Sequence, residues 1–237
     1  MTIETADSEA RRIYAIGDIH GRLDLLDLAI GTIRSDVAER GPAALTVTIG
    51  DYIDRGPDSC GVLDCLADNP FPTPYVALKG NHEDMLEAFL ADPATAPQWF
   101  DNGAEETLES YGVRLRGYGF ADFARARDAL RVALPAAHLN FLRRLKTSFD
   151  CGRYFFCHAG VRPGVPLTRQ RDEDLLWIRE PFLLSEQDFG AIVVHGHTPT
   201  AEPEVRPNRI GIDTGAFYSG RLTCVALGEG EPRFLAV

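Results

Sequence analysis

The chain has no CxxC pair. Its five cysteines, Cys60, Cys65, Cys151, Cys157 and Cys224, are odd in number and scattered. That spacing excludes a zinc ribbon, and the cysteines read as small buried hydrophobes in a reducing cytosol. No apolar run approaches the ~18 residues needed to cross a bilayer. The opening Met-Thr-Ile-Glu-Thr-Ala-Asp-Ser-Glu-Ala carries acids where a secretion signal would have an apolar core. Basic residues are in the minority, with 24 Lys and Arg against 35 Asp and Glu and a formal net charge of −11. This deficit argues against nucleic acid or an anionic membrane as a partner held by bulk charge, while leaving room for a small basic pocket. Internal repeats, low-complexity tracts and linkers are also missing. The expectation is a soluble cytoplasmic protein with one domain over residues 1–237; nothing in the composition bears on self-association.

What is present is an ordinary globular composition, 45% apolar and 25% charged. Arg12 to Ile16 reads as a strand, followed by Gly17-Asp18-Ile19-His20-Gly21 and then apolar positions Leu26, Ile30, Ile33 and Val37 at helical spacing. A second unit runs from Ala44 to Ile49 through Gly50-Asp51-Tyr52-Ile53-Asp54-Arg55-Gly56 into a helix with Val62, Leu63 and Leu66, with Pro57 suited to its first turn. A third runs from Tyr75 to Leu78 through Gly80-Asn81-His82-Glu83 to Met85, Leu86, Phe89 and Leu90. Three such units predict right-handed crossovers and a largely parallel sheet covered by helices.

Between about 91 and 146 the pattern predicts helices without strands: one containing Trp99, Phe100, Leu108 and Tyr111, one over Phe120 to Val132, and one over Leu139 to Leu145. Such an insert could cap the site as a lid. The remainder is strand-rich. Thr147 to Phe149 and Tyr154 to Cys157 flank a hairpin turn expected at Asp150-Cys151-Gly152, and further strands are expected at Ile192 to Val194, Ile210 to Ile212, Leu222 to Leu227 and Phe234 to Val237. Each half of the chain is expected to supply one sheet.

Acidic and imidazole groups at several strand ends could converge, because open α/β sheets place their sites at the carboxyl ends of strands. A set of Asp, His and Asn suits Mn²⁺, Fe or Zn²⁺ rather than thiolate-seeking ions. One carboxylate has two oxygens and can join two cations. Such a pair activates water and clamps phosphate oxygens, and a His held by a carboxylate can protonate the leaving alkoxide.

The five motifs, Gly17-Asp18-Ile19-His20-Gly21, Gly50 to Gly56, Gly80 to Glu83, His158-Ala159-Gly160 and His195-Gly196-His197-Thr198, resemble those of the calcineurin-like metallophosphoesterases. Within that superfamily the phosphoprotein phosphatase branch, and its bacterial serine/threonine type, is the most similar. The resemblance implies an α/β fold of two mixed β-sheets packed face to face with helices outside. It implies two divalent metal ions, Mn²⁺ by preference, with Asp18 and His20 at the first, Asp51 bridging, and Asn81, His158 and His197 at the second. It further implies Asp54 and His82 as the acid-base pair, and Arg55, Arg179 and Asn81 as groups on the substrate phosphate.

By the same resemblance the expected activity is hydrolysis of phosphate monoesters, above all phosphoserine and phosphothreonine in proteins, through in-line attack by a metal-bridging hydroxide. Asp54-Arg55 and His82-Glu83 match protein phosphatases. The alternatives are a symmetric dinucleoside tetraphosphate hydrolase and an inactive metal-binding regulatory domain. The expected partner is a phosphoprotein or a small phosphorylated substrate. His195 is expected beside the ligands rather than among them, Asp213 in a structural turn and Tyr218 as a candidate site wall. His138 is expected at the surface or in packing, Trp99 in packing.

Overall fold

The computed structural model describes residues 12–228 and 230–237. Three strand–loop–helix units come first, as expected: β1 (Arg12–Ile16) and α1 (Leu23–Arg40), β2 (Ala44–Thr48) and α2 (Ser59–Ala67), β3 (Tyr75–Ala77) and α3 (Asn81–Ala91). The three strands pair in parallel. A helical block follows, α4 (Ala96–Phe100), α5 (Ala104–Ser110), α6 (Phe120–Ala133) and α7 (Ala136–Leu142). The remaining chain forms β4 (Ser148–Cys151), β5 (Tyr154–Cys157), α8 (Asp172–Trp177), α9 (Glu180–Leu183), β6 (Ile192–His195), β7 (Glu204–Val205), β8 (Arg209–Gly211), α10 (Ala216–Ser219), β9 (Cys224–Leu227) and β10 (Arg233–Leu235).

The strands make two mixed sheets of five, ordered β10-β9-β1-β2-β3 and β4-β5-β6-β8-β7. Side chains alternate across each strand, so each sheet has two apolar faces. Ile13, Ala15, Leu45, Val47 and Val76 of the first sheet meet Phe156, Val194 and Ile210 of the second in one shared layer. On its other face the first sheet, through Tyr14 and Ile16, packs on Leu26, Ile33, Val62 and Phe89 of α1 to α3. The second packs Phe155, Cys157 and Val193 on Leu175, Ile178 and Phe182 of α8 and its neighbours. Four layers result, helix, sheet, sheet, helix. Each buried Val, Leu, Ile or Phe side chain among them contributes ~1.5–3 kcal/mol on full burial.

Four local expectations are corrected. The helix expected from Trp99 to Tyr111 is two helices, broken at Gly103, whose φ of 93° no right-handed helix accommodates. Pro57 lies before α2, whose N-cap is Asp58, accepting from Gly61 N–H at 2.8 Å. The β4–β5 turn falls at Gly152 and Arg153, because Cys151 still pairs with Tyr154. The sheets do not divide between the two halves: β9 returns antiparallel to β1, and β10 follows at the edge. Among the described residues no helix is long and apolar enough to cross a membrane.

Candidate metal centre

The polar site residues leave the strands at their carboxyl ends. The loop after β1 carries Asp18 and His20, and that after β2 carries Asp51, Asp54 and Arg55. Asn81 and His82 are the first two residues of α3, His158 follows β5, and His197 follows β6. Five non-glycine residues have a left-handed backbone among the described residues: His20, Asp51, Asp54, Arg55 and His197. All belong to this group, and each such residue costs on the order of 1 kcal/mol or more. The strain is concentrated where the side chains must converge.

Close backbone approach makes the convergence possible. A Cβ on Gly80 would stand 2.0 Å from Asp51 Oδ1, and one on Gly196 would stand 2.0 Å from Asp18 Oδ1. Glu83, buried in the first turn of α3, ties two loops together. It accepts from the backbone N–H groups of Asp51 (2.9 Å), Tyr52 (2.7 Å) and Gly80 (2.8 Å). Burial, with the nearby Asp51 charge, pushes its carboxyl up to about 8, against the pull of those donors. The only sequence sign of this clasp is a glutamate three residues after Gly80, the spacing of a helix-start box.

Asp51 lies between two groups of ligand atoms. Its Oδ2 is 3.5 Å from His20 Nε2, and its Oδ1 is 3.4 Å from His158 Nε2. His20, Asp51 and His82 form one cluster and Asp51, His158 and His197 another, each with ligand atoms within 4.8 Å of one another. His20 Nδ1 donates to Ile53 O (2.8 Å) and His158 Nδ1 to Ile49 O (3.0 Å), so in the neutral rings both Nε2 lone pairs face Asp51. The rings are neutral: burial pushes His158 down to about 3, and burial with the His82 and Arg55 charges holds His20 well below its ordinary value. Asn81 Oδ1 adds a further oxygen, 2.8 Å from both His158 Nε2 and His197 Nδ1.

Electron pairs thus converge on two places around one carboxylate, an arrangement that a cation satisfies and a proton does not. Asp18 fits the same reading. Its Oδ2 accepts from His197 N–H at 3.0 Å, while buried Oδ1 has no hydrogen-bond partner among the described residues. Burial, followed by the charges of Asp213 and Asp51, raises the Asp18 carboxyl well above the usual range. A bound cation reverses that penalty. The donor set of carboxylate, imidazole and amide oxygen, with no thiolate, fits a divalent ion such as Mn²⁺, Fe²⁺ or Zn²⁺.

His82 stands apart within its cluster. Its Nδ1 donates to Asp54 Oδ2 at 2.7 Å, while the buried Nε2, 3.8 Å from Asp51 Oδ2, has no hydrogen bond among the described residues. Asp54 is fully buried and also accepts from Trp99 Nε1 (2.7 Å) and Thr107 Oγ1 (2.5 Å). Burial raises the Asp54 carboxyl well above its ordinary value, with Thr107 and Trp99 opposing. Burial pushes His82 down to about 4, with Asp51 opposing.

Arg55 packs its guanidinium 5.1 Å over the Phe217 ring, and its Nη1 donates to His20 Nε2 at 3.0 Å. Its backbone is braced by the helical block, N–H to Gly103 O at 3.0 Å. Arg179 is exposed, donates to Thr198 Oγ1 at 3.3 Å, and its charge reaches Asp51, His158 and His197.

Of the remaining residues, His195 is buried beside the centre and contacts Phe182, with its Nδ1 bonded to Gly196 O. Asp213 holds a turn through Gly215 N–H (2.8 Å), and it also faces Asp18, its own carboxyl pushed up by burial to about 6. Tyr218 is 62% exposed and touches Phe217, so the aromatic side chain against Arg55 and His20 is Phe217. His138 is fully buried in packing, bonded to Tyr111 and Asp64, and does not reach the surface. Trp99 is buried as expected, but it also reaches Asp54. Together with Thr107 and Gly103 it makes the helical block a wall of the site.

Fold and site define a class: a two-sheet α/β sandwich carrying a His/Asp/Asn metal centre at its strand ends. The calcineurin-like phosphoesterase family matches residues 11–223, and the chain belongs to that family. Its members use two divalent metals. Serine/threonine-protein phosphatase 1 of Salmonella typhimurium is 30% identical over 90% of this chain and 90% of its own. A bis(5'-nucleosyl)-tetraphosphatase of Anoxybacillus flavithermus, named for asymmetrical cleavage, is 25% identical over 91% and 90%. Among solved structures, a protein proposed to be a diadenosine tetraphosphatase superposes with a TM-score of 0.69 at 20% identity, covering 96% of this chain and 94% of that one. A Saccharomyces cerevisiae serine/threonine phosphatase gives 0.56 at 14% identity, covering 98% and 82%.

Proposed function

We propose that this phosphoesterase is a two-metal phosphatase of phosphate monoesters, acting on phosphoserine and phosphothreonine in proteins. The observation that carries the metal part is the division of Asp51, one oxygen toward neutral His20 and the other toward neutral His158. Asp18 and His20 would hold one ion, Asn81, His158 and His197 the other, and Asp51 both, with Mn²⁺ the favoured metal. The ions would supply Lewis acidity toward phosphate oxygens and activate water near neutral pH.

The chain's own residues do the rest. Arg55, braced by Gly103 and Phe217, presents a fork to the phosphate, and Arg179, beside Thr198, adds a second positive charge near His197. His82, its Nδ1 proton held on Asp54, turns Nε2 to the centre; once Nε2 is also protonated, the imidazolium can give that Nε2 proton to the leaving alkoxide and return to the neutral ring. Asp54 keeps the ring oriented and stabilises the imidazolium form. The protein-substrate reading is supported by the Asp54-Arg55 and His82-Glu83 pairs and by the Salmonella relative.

A second reading, dinucleoside tetraphosphate hydrolysis, is favoured by one feature: Phe217 lies against Arg55, with exposed Tyr218 packed on Phe217, where a base could stack. The test is turnover of a phosphothreonine peptide, a dinucleoside tetraphosphate and p-nitrophenyl phosphate, each with and without Mn²⁺. Metal-dependent peptide dephosphorylation is expected to exceed nucleotide cleavage. The reverse order overturns the substrate reading, and no turnover of any substrate leaves the inactive metal-binding domain.

A further inference from the structure

At the side of the molecule where β3 and β4 form the outer strands of the two sheets, a groove runs between Leu66 of α2, Phe141 and Leu145 at the end of α7, and Phe149 of β4. Its floor is the stretch of the β3 edge that the bridge between Lys146 and Leu78 leaves open. In the parallel register with β2, Pro74 O, Val76 and Leu78 N–H bond to Thr46 and Thr48, so Tyr75 and Ala77 point their backbone groups off the sheet. Beyond that point Lys146 already pairs with the edge, its N–H donating to Ala77 O at 3.2 Å and its carbonyl accepting from Lys79 N–H at 2.7 Å. Tyr75 N–H, Tyr75 C=O and Ala77 N–H have no partner among the described residues. An edge of this kind is a template for another strand.

The rim gives the occupant its charge. Arg144 and Lys146 line the groove, and Arg143 precedes them; all three are exposed and have no carboxylate partner among the described residues. In a chain of net charge −11, three uncompensated cations beside an apolar groove form a local basic patch, with Asp68 the one acid lining it. We infer that the β3 edge is a docking site for an extended acidic segment of a partner protein, which adds as a strand and alternates apolar side chains into the groove with carboxylates toward Arg144 and Lys146. Backbone pairing supplies affinity, and the alternating side chains supply selection. The groove is built from none of the metal-centre residues, so docking leaves the phosphate site open.

The probe is a fluorescent peptide alternating valine with aspartate or glutamate, titrated by anisotropy against the full chain. A version with lysine for the acids and a version with proline at alternate positions serve as controls. The acidic peptide is expected to bind saturably and more weakly as salt rises, the two controls at least about tenfold more weakly. The doubly substituted Arg144→Glu, Lys146→Glu chain is expected to lose at least about tenfold in affinity while keeping its circular dichroism and melting temperature. Absence of saturable binding, equal binding of the lysine or proline peptide, or affinity unchanged by the double substitution would overturn the inference. So would a concentration-dependent dimer abolished by the same substitutions, which would assign the edge to a second copy.

Discussion

Asp54 receives three side-chain donors, His82, Trp99 and Thr107, and none of its carboxylate surface reaches solvent. A buried carboxylate loses heavily when one donor is removed, ~1.5–3 kcal/mol for a hydrogen bond to a charged group. Trp99→Phe keeps an aromatic ring in the pocket but deletes the N–H together with the pyrrole ring that carries it. It is expected to slow esters with poor leaving groups by roughly tenfold or more while leaving metal content unchanged, which a leaving-group series beside metal analysis would check. His82→Ala should go further, by ~10²–10⁴ on poor leaving groups, with little effect on good ones. Equal losses across the series would remove His82 from the role of proton donor. Neither Trp99 nor Thr107 could be assigned to Asp54 from the sequence: they lie 45 and 53 residues away, on helices whose periodicity reports burial but not the polar atom a buried indole or hydroxyl must find.

At the scale of elements, the site is a set of loops forced into left-handed turns and held by glycines that admit a neighbouring backbone. Gly103 separates α4 from α5 at φ 93°, and a Cβ there would meet Arg55 Cγ at 2.8 Å. Gly103→Ala is therefore expected to destabilise the fold by ~1–3 kcal/mol and to raise KM more than it lowers kcat, through Arg55. Denaturant titration with steady-state kinetics would check both. The loops were legible because each follows a short apolar strand and three of them begin with Gly-Asp or Gly-Asn, the other two carrying a histidine within two residues of a glycine, local patterns that need no tertiary knowledge. The break at Gly103 was less legible: Trp99, Phe100, Leu108 and Tyr111 keep a helical spacing across it, and the glycine is demanded by a φ of 93° and by the close approach of Arg55, neither visible in the sequence. The short α8, α9 and α10 lacked enough turns to show a period.

For the whole molecule, two sheets were readable from strand content, but the return of β9 and β10 to the first sheet was not. The register of β9 with β1 joins residues more than two hundred positions apart, and no local signal encodes that pairing. The closing strand is fastened electrostatically as well. Asp36 of α1 accepts from Arg233 of β10 and from Tyr14 of β1. Arg233 and Tyr14 hold the Asp36 carboxyl below its ordinary value despite its burial, and burial pushes Tyr14 up to about 12. Because the folded Asp36 titrates below the unfolded one, its contribution is present above the ordinary carboxylate value near 3.8 and is lost as pH falls through the lower folded value. Asp36→Asn should cost stability at pH 7 and cost less at pH 3. Urea midpoints of the two proteins at both pH values would check this, and an equal gap would dismiss the linkage.

The two sheets meet functionally at Asp51, which the first sheet supplies and which faces His158 from the second. The measurement closest to the central claim is the metal stoichiometry of Asp51→Asn, taken together with its turnover of p-nitrophenyl phosphate. Two ions per chain in the parent, with both the pairing and the activity lost in the variant, is the predicted result. A folded Asp51→Asn protein that retains two ions and full activity would contradict it.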